Sequence, residues 1–392
     1  MGCNMKQYAE YARKLREEIH MYPEIGFDLP KTLAVVRREL DAMGIAYTDK
    51  WGRSSVVGYI GKEDAPITIG LRADMDALPV KENTDFPFKS RHEGIMHACG
   101  HDAHTAILLA SAKWLKEHEA QLACRVKLLF TPAEEYITPG CKELAENGVM
   151  DDVNFAVAIH VDVDARVGQV VCPIAPTHSN SIGFKCRFYG KSAHAGGPHR
   201  GVDAIMMAMQ AISAMQIMVN REIDPIKPTI FNIGSFHGGH TNNLVCDFVE
   251  IFGSCRAQED EITAHMTRRL KEITESVAAG MGGRGEFEVT KLLPYVINHP
   301  LVGGQLRRTA HRVLGDDCLF VKPRKMGGED FGFLSRKKPC AQFRVGVKPV
   351  DHVGKMPSAH NDNFWIDNGC FEVGIRMFTG FVLDAMHGIE GL

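Results

Sequence analysis

The spacing of apolar positions divides the chain into helical and strand-like stretches that alternate along its first half. Tyr8, Tyr11, Ala12, Leu15 and Ile19 recur at helical spacing over residues 6–20, ahead of Pro23, and a second helix fits Lys31 to Met43 and stops at Gly44. Apolar runs predict strands at Ser55 to Ile60, Ile67 to Leu71, Arg125 to Phe130 and Val153 to Ile159, with a helix over Ala103 to Glu119 among them. The residues just past these runs are polar: Asp74 and Asp76 after one, Glu134 and Glu135 after another, His160 after a third. Strands alternating with helices predict an α/β domain whose mostly parallel sheet is flanked by helices. In such sheets ligands bind beyond the carboxyl ends of the strands. Three strands are therefore expected to deliver carboxylates and an imidazole to one rim.

The pattern changes near Ser181. Ile182 to Tyr189, Thr229 to Gly234 and Leu244 to Cys255 read as strands, and Asp203 to Val219 and Asp260 to Ala279 as amphipathic helices. Together they suggest a compact α+β unit of roughly 115 residues, an ordinary domain size. Helical character returns after Pro294, followed by Gly327-Gly328-Glu329-Asp330-Phe331 and a strand at Ala341 to Val347. The expected organisation is a discontinuous catalytic domain, 1–181 and 297–392, interrupted by an inserted lid or dimerisation domain, 182–296. The methionines of the first inserted helix (Met206, Met207, Met209, Met215, Met218) are read as core or subunit contact.

Length and composition narrow the picture. At 392 residues the chain exceeds one ordinary core, and 45% hydrophobic with 24% charged residues is typical of a soluble globular protein. A net charge of −3 without a basic stripe argues against nucleic acid as partner. Met1 to Lys6 lead into a charged helical pattern rather than a signal region, and no run of 18 apolar residues is present, so neither membrane association nor export is expected. The eleven cysteines show no framework spacing, which fits reduced thiols and a cytoplasmic location; Cys186 and Cys255 read as small core hydrophobes.

Candidate chemistry is densest at Met96-His97-Ala98-Cys99-Gly100-His101-Asp102-Ala103-His104, just ahead of an apolar helix. Cysteine and histidine suit a borderline metal such as zinc, and Gly100 lets the backbone turn between Cys99 and His101. Asp102 stands where a helix N-cap belongs.

Six motifs then occur in order: Leu71 to Pro79 (LRADMDALP), Met96 to His104, Pro132 to Glu135 (PAEE), Gly190 to Ala195 (GKSAHA), Gly327 to Phe331, and Pro357 to Asn361 (PSAHN). With His20 to Glu24 (HMYPE) near the start, they resemble the M20 metallopeptidases over nearly the whole chain. The likeness is to the amidohydrolase branch of hippurate hydrolases, indole-acetyl-amino-acid hydrolases and N-acetyl-diaminopimelate deacetylases. The resemblance implies that Cys99, His101, Glu135, His160 and His360 are metal ligands. Five ligands overfill one catalytic zinc site, so two divalent ions sharing the Cys99 thiolate fit better. Zn²⁺ or Mn²⁺ is expected, with Co²⁺ or Ni²⁺ as further options.

On the same resemblance Glu134 is the general base, Asp76 a partner that orients a ligand imidazole, and His194 an oxyanion donor often supplied by a neighbouring subunit. Asp102 is either the cap or a second such orienting partner, and Asp330 either orients a ligand or holds a turn. Asn243 and Arg256 match positions that hold a substrate α-carboxylate, although Arg256 equally suits a surface ion pair. Thr131 replaces a common glutamine, Cys246 a common proline, and Asp28 a glutamate; none is a proposed ligand. The expected activity is hydrolysis of N-acyl-L-amino acids by a homodimer paired through the inserted domain. The alternative is a dipeptidase or carboxypeptidase with the same mechanism. A Cys99 thiolate nucleophile and a non-catalytic metal-binding protein are the competing classes.

Overall fold

Residues 5–392 are described by the computed structural model; Met1 to Asn4, where the N-terminal segment begins, lie outside the described residues. In chain order the elements are α1 (Met5–Met21), α2 (Pro30–Ala42), β1 (Ala46–Thr48), β2 (Val56–Ile60), β3 (Thr68–Asp74), α3 (His101–Glu117), β4 (Arg125–Thr131), α4 (Gly140–Glu146), β5 (Phe155–Arg166) and β6 (Val170–Val171). Next come β7 (Asn180–Tyr189), β8 (Ala193–His194), α5 (Ala204–Arg221), β9 (Thr229–Gly238), β10 (Leu244–Val245), β11 (Phe248–Ala257), α6 (Asp260–Gly280) and β12 (Arg284–Leu293). The chain closes with α7 (Pro300–Leu314), α8 (Phe331–Ser335), β13 (Cys340–Lys348) and α9 (Gly369–Ala385). No described helix is long and apolar enough to cross a membrane.

Contacts gather these elements into two compact units. One comprises the chain up to Thr177 with Val296–Arg324 and Asp330–Leu392; the other comprises His178–Tyr295 and Lys325–Glu329. The short 325–329 piece joins the second unit through the backbone, where the Ser179 N–H donates to the Gly327 carbonyl at 3.0 Å.

The first unit holds a seven-stranded sheet in the order β1-β2-β4-β3-β5-β13-β6. Its centre, β4-β3-β5-β13, is parallel, and its flanking pairs are antiparallel. Alternation along the central strands sorts side chains onto two faces. Leu71 and Ala73, Leu128 and Phe130, and Val157 and Ile159 enter the larger core with α1, α3, α7 and α9. Leu129, Ala156 and Ala158 face the other way, against α4 and α8. Burial of each large apolar side chain contributes about 1.5–3 kcal/mol. The described cysteines are free and buried, as small core residues would be.

Two expectations near the centre need correction. β5 does not end at Ile159 but continues to Arg166. β3 leaves its edge after the Arg72–Ala158 pair, while β13 keeps pairing through His160 and Val161. Nor is Asp102 an N-cap. The helix starts at His101, with Gly100 at φ 87° as its cap, so Asp102 falls inside the first turn. A Cβ on Gly100 would sit 2.7 Å from Val161 Cγ2, so both backbone angle and space call for glycine there. The buried Asp102 Oδ2 accepts from Arg16 Nε at 2.7 Å and from His20 Nδ1 at 2.7 Å, while His20 Nε2 faces Glu82 Oε1 at 3.2 Å.

The second unit is a four-stranded antiparallel sheet, β12-β7-β11-β9, with α5 and α6 packed into one core with it. The fourth strand, β12, has no counterpart in the sequence reading, and the run from Leu244 to Cys255 is two strands broken at Cys246 and Asp247. Of the α5 methionines, Met207, Met215 and Met218 are buried, whereas Met206 and Met209 are exposed.

Burial opposes ionisation of Asp102, but the Arg16 charge and the His20 hydrogen bond outweigh it and hold the carboxyl below its usual range. Asp102→Asn should lower the urea midpoint at pH 7, because breaking a buried ion pair costs about 3–5 kcal/mol. A carboxyl depressed in the folded state stabilises above its unfolded pKa of about 3.9 and loses that contribution as pH falls further. Wild-type stability should therefore drop more steeply than the variant's as pH is lowered from about 5 to 3. Equal midpoints at pH 7 would contradict this role.

Candidate active site

The carboxyl ends of β3 and β4, and His160 within β5, bring their polar residues together with the start of α3 in the first unit. Cys99, His101 and His160 form one group whose ligand atoms lie within 4.8 Å of one another, and Cys99, Glu135 and His360 form a second. Cys99 belongs to both. Its Sγ lies 3.6 Å from His160 Nε2, and His360 Nε2 lies 2.9 Å from Glu135 Oε1.

The donor chemistry of these groups fits divalent cations. His101 Nδ1 is held 2.9 Å from the Asp76 carbonyl and His160 Nδ1 2.7 Å from the Val161 carbonyl. Each ring therefore donates from Nδ1 and offers its Nε2 lone pair, the arrangement that orients histidine ligands. The buried His101 Nε2 has no hydrogen-bond partner among the described residues. Burial and nearby His104 hold the His160 pKa well below its usual value, so the ring stays neutral. Burial, reinforced by the Glu135 charge, pushes the Cys99 thiol up. That environment disfavours a bare thiolate nucleophile.

The turn after β4 places the two glutamates. The chain does not continue through them in extended backbone. Instead Ala133 adopts φ 59° and the following residues bend. The Asp76 carboxylate secures that bend, Oδ1 accepting from the Glu134 N–H and Oδ2 from the Glu135 N–H, each at 3.0 Å. Asp76 thus orients His101 through its backbone carbonyl and uses its side chain on the glutamate turn. Glu134 Oε1 accepts from the Asp330 N–H at 3.3 Å, while Glu135 turns towards His360. His360 also has left-handed backbone, φ 67°, and its N–H donates to the Ala98 carbonyl at 2.8 Å. Two non-glycine residues in that region, each costing of order 1–3 kcal/mol, flank the donor cluster.

In the second unit, β8 pairs with β10 so that His194 lies opposite Leu244, and the Ala195 N–H donates to the Asn243 carbonyl at 2.9 Å. His194 and Asn243 are therefore neighbours, and His194 is exposed. Arg256 is not near them. It pairs with Ser181 while Phe248 pairs with Tyr189, so eight residues of β11, roughly 27 Å of strand, separate it from the Asn243 end. Its Nη1 donates to the Met326 carbonyl at 2.6 Å.

Sequence reasoning missed several residues behind the donor cluster. Arg72, inside a strand buried along its length, signals a need for carboxylate partners, and it pairs with Asp74 and Asp330. His104 takes its place through Asp74, Nδ1 to Oδ1 at 2.6 Å. His97 lies apart from the ligand groups, its ring 6.2 Å from that of His20; burial lowers its pKa to about 3.

If Cys99 links the two groups, Cys99→Ser should weaken Zn²⁺ binding in calorimetric titration by more than 10-fold, beyond the loss in His97→Gln. Unchanged zinc affinity in Cys99→Ser would overturn the shared role.

Residues 70–384 match the family described as peptidase family M20/M25/M40. IAA-amino acid hydrolase ILR1-like 4 of Arabidopsis thaliana is 34% identical, with 93% of this chain and 83% of that protein covered. Thermostable carboxypeptidase 1 of Saccharolobus solfataricus is 30% identical over 95% of this chain and 94% of its own length. The solved Bacillus subtilis YXEP protein, described as a dinuclear metal binding peptidase from the M20 family, aligns with a TM-score of 0.81 at 27% identity, over 96% of this chain and 98% of that one. The donor groups at the strand ends and these likenesses lead to one assignment: the chain belongs to peptidase family M20/M25/M40 and is a metal-dependent amidohydrolase or peptidase.

Proposed function

We propose that the protein hydrolyses the amide bond of N-acyl-L-amino acids, with Glu134 as general base. Cys99, His101, Glu135, His160 and His360 would hold two divalent cations, Zn²⁺ or Mn²⁺ before Co²⁺ or Ni²⁺. The observation that carries this reading is the placement of adjacent glutamates: both N–H groups rest on Asp76, Glu135 faces His360, and Glu134, grouped with His101, accepts the Asp330 N–H. Bound cations would supply Lewis-acid polarisation of the carbonyl and make water more acidic. The Glu134 carboxylate takes the proton of the attacking water and returns it to the departing amine nitrogen. His194 Nδ1 accepts the Gly196 N–H at 3.0 Å, so the neutral ring carries its proton on Nε2, where it can donate to an oxyanion.

Asn243 and Arg256 are the proposed holders of the substrate α-carboxylate. Their separation along β11 favours a homodimer in which His194 and Asn243 come from one copy and Arg256 from the other. β9 supports pairing of the inserted units. It is an edge strand of ten residues with Ile230 and Phe236 exposed, a surface suited to antiparallel addition of a second copy. The carboxypeptidase relative supports a second reading, a dipeptidase or carboxypeptidase acting through the same residues.

A panel of N-acetyl and N-benzoyl amino acids, dipeptides and N-blocked peptides, assayed with metal-reconstituted protein, separates the two. The first reading predicts the highest kcat/KM for acyl amino acids with a free α-carboxylate; faster turnover of dipeptides would overturn it. Glu134→Gln should retain metal and lose about 10²–10⁴ in kcat. Undiminished turnover would remove Glu134 from the mechanism.

A further inference from the structure

Behind the glutamate turn lies a buried ionic network. The Arg72 guanidinium on β3 is fully buried and meets partners on its own strand, on β4 and at the start of α8. Its Nη1 meets Asp74 Oδ2 at 2.7 Å, its Nη2 meets Asp330 Oδ1 at 2.5 Å, and its Nε donates to Thr131 Oγ1 at 3.0 Å. Asp330 is itself fully buried at the start of α8, and its Oδ2 accepts the Cys141 N–H of α4 at 2.9 Å. Both oxygens of this carboxylate are thus fixed, one by a guanidinium and one by a helix N-terminus. The backbone N–H of the same residue is the donor to Glu134 Oε1.

In the other direction the network supports the ligand side. Asp74 Oδ1 meets His104 Nδ1, and His104 Nε2 accepts the Val161 N–H at 2.9 Å, one residue past His160. The Asp74 carbonyl also accepts the Thr105 hydroxyl at 2.8 Å, tying the end of β3 to the first turns of α3. A planar fork with donors in fixed directions can bridge two carboxylates; a lysine ammonium in its place would be a single point charge.

We infer that Asp330, clamped by Arg72, is a positioning residue for the general base: its backbone N–H fixes Glu134 Oε1, and the guanidinium fixes Asp330. The inference rests on Glu134 acting as the base. Neither Arg72 nor Asp330 touches substrate in this role. Loss of the clamp would shift the carboxylate, and displacements of about 1 Å cost on the order of 10²-fold in rate.

The test is a double-mutant cycle in the metal-loaded, full-length enzyme, with metal content measured for every variant. Asp330→Asn keeps the size of the side chain and removes its charge; Arg72→Lys keeps the charge and removes the fork. Each is expected to lower kcat about 10- to 100-fold with KM changed less than about 3-fold and metal content unchanged. Adding Asp330→Asn to Glu134→Gln should lower kcat no further, because the clamp acts only through Glu134. A purely structural role predicts that the two losses multiply, and that result overturns the inference, as would full kcat in Asp330→Asn. If Arg72→Lys fails to fold, the Asp330→Asn and Glu134→Gln cycle decides alone. Full activity in Glu134→Gln would instead sink the assignment of the base, a different outcome from a silent Asp330→Asn.

Discussion

Negative charge brought to the buried ends of parallel strands has to be matched there, and the organisation of the first unit follows from that constraint. Asp74, Asp76, Asp102, Glu134 and Asp330 are all buried in the same unit. Unpaired, each would take up a proton or unfold its surroundings. Arg72 answers Asp74 and Asp330, Arg16 and His20 answer Asp102, and two backbone N–H groups answer Asp76. Among the described residues, Cys99, Glu135 and His360 are left with donor atoms facing one another, and His101 with a buried Nε2 that has no hydrogen-bond partner. What the protein does not neutralise internally is what a pair of cations would neutralise.

Rigidity accompanies the charge matching. The glutamates leave β4 through a left-handed alanine, and His360 arrives through left-handed backbone of its own. Such conformations persist where surrounding bonds over-determine them. Here those bonds are the two Asp76 contacts and the His360 link to Ala98. The donors are thereby held by backbone geometry as well as by their rotamers, which limits reorganisation when a metal or a transition state forms.

Much of this was legible in the sequence because apolar runs stop abruptly. β3 and β4 are buried along nearly their whole lengths; β3 ends in Asp74 and β4 is followed by Glu134 and Glu135, so their edges stand out. His160 is not the strand end that the apolar run suggests, since β13 keeps β5 extended beyond the reach of β3. Long-range pairing was not legible. Asp102 meets partners 86 and 82 residues earlier, and Arg72 meets one 258 residues later, distances over which no local period operates. β12 escaped notice because it is an edge strand, exposed over much of its length and without a run of buried positions. The distance between Arg256 and Asn243 follows from antiparallel register, which motif spacing does not encode.

In the proposed centre the Cys99 sulfur is shared between two metal positions ahead of α3. X-ray absorption at the zinc edge of fully loaded protein tests it most directly. Sulfur bound to the metal at about 2.3 Å, with nitrogen and oxygen completing the coordination, is the expected result. A first shell of nitrogen and oxygen alone would contradict it.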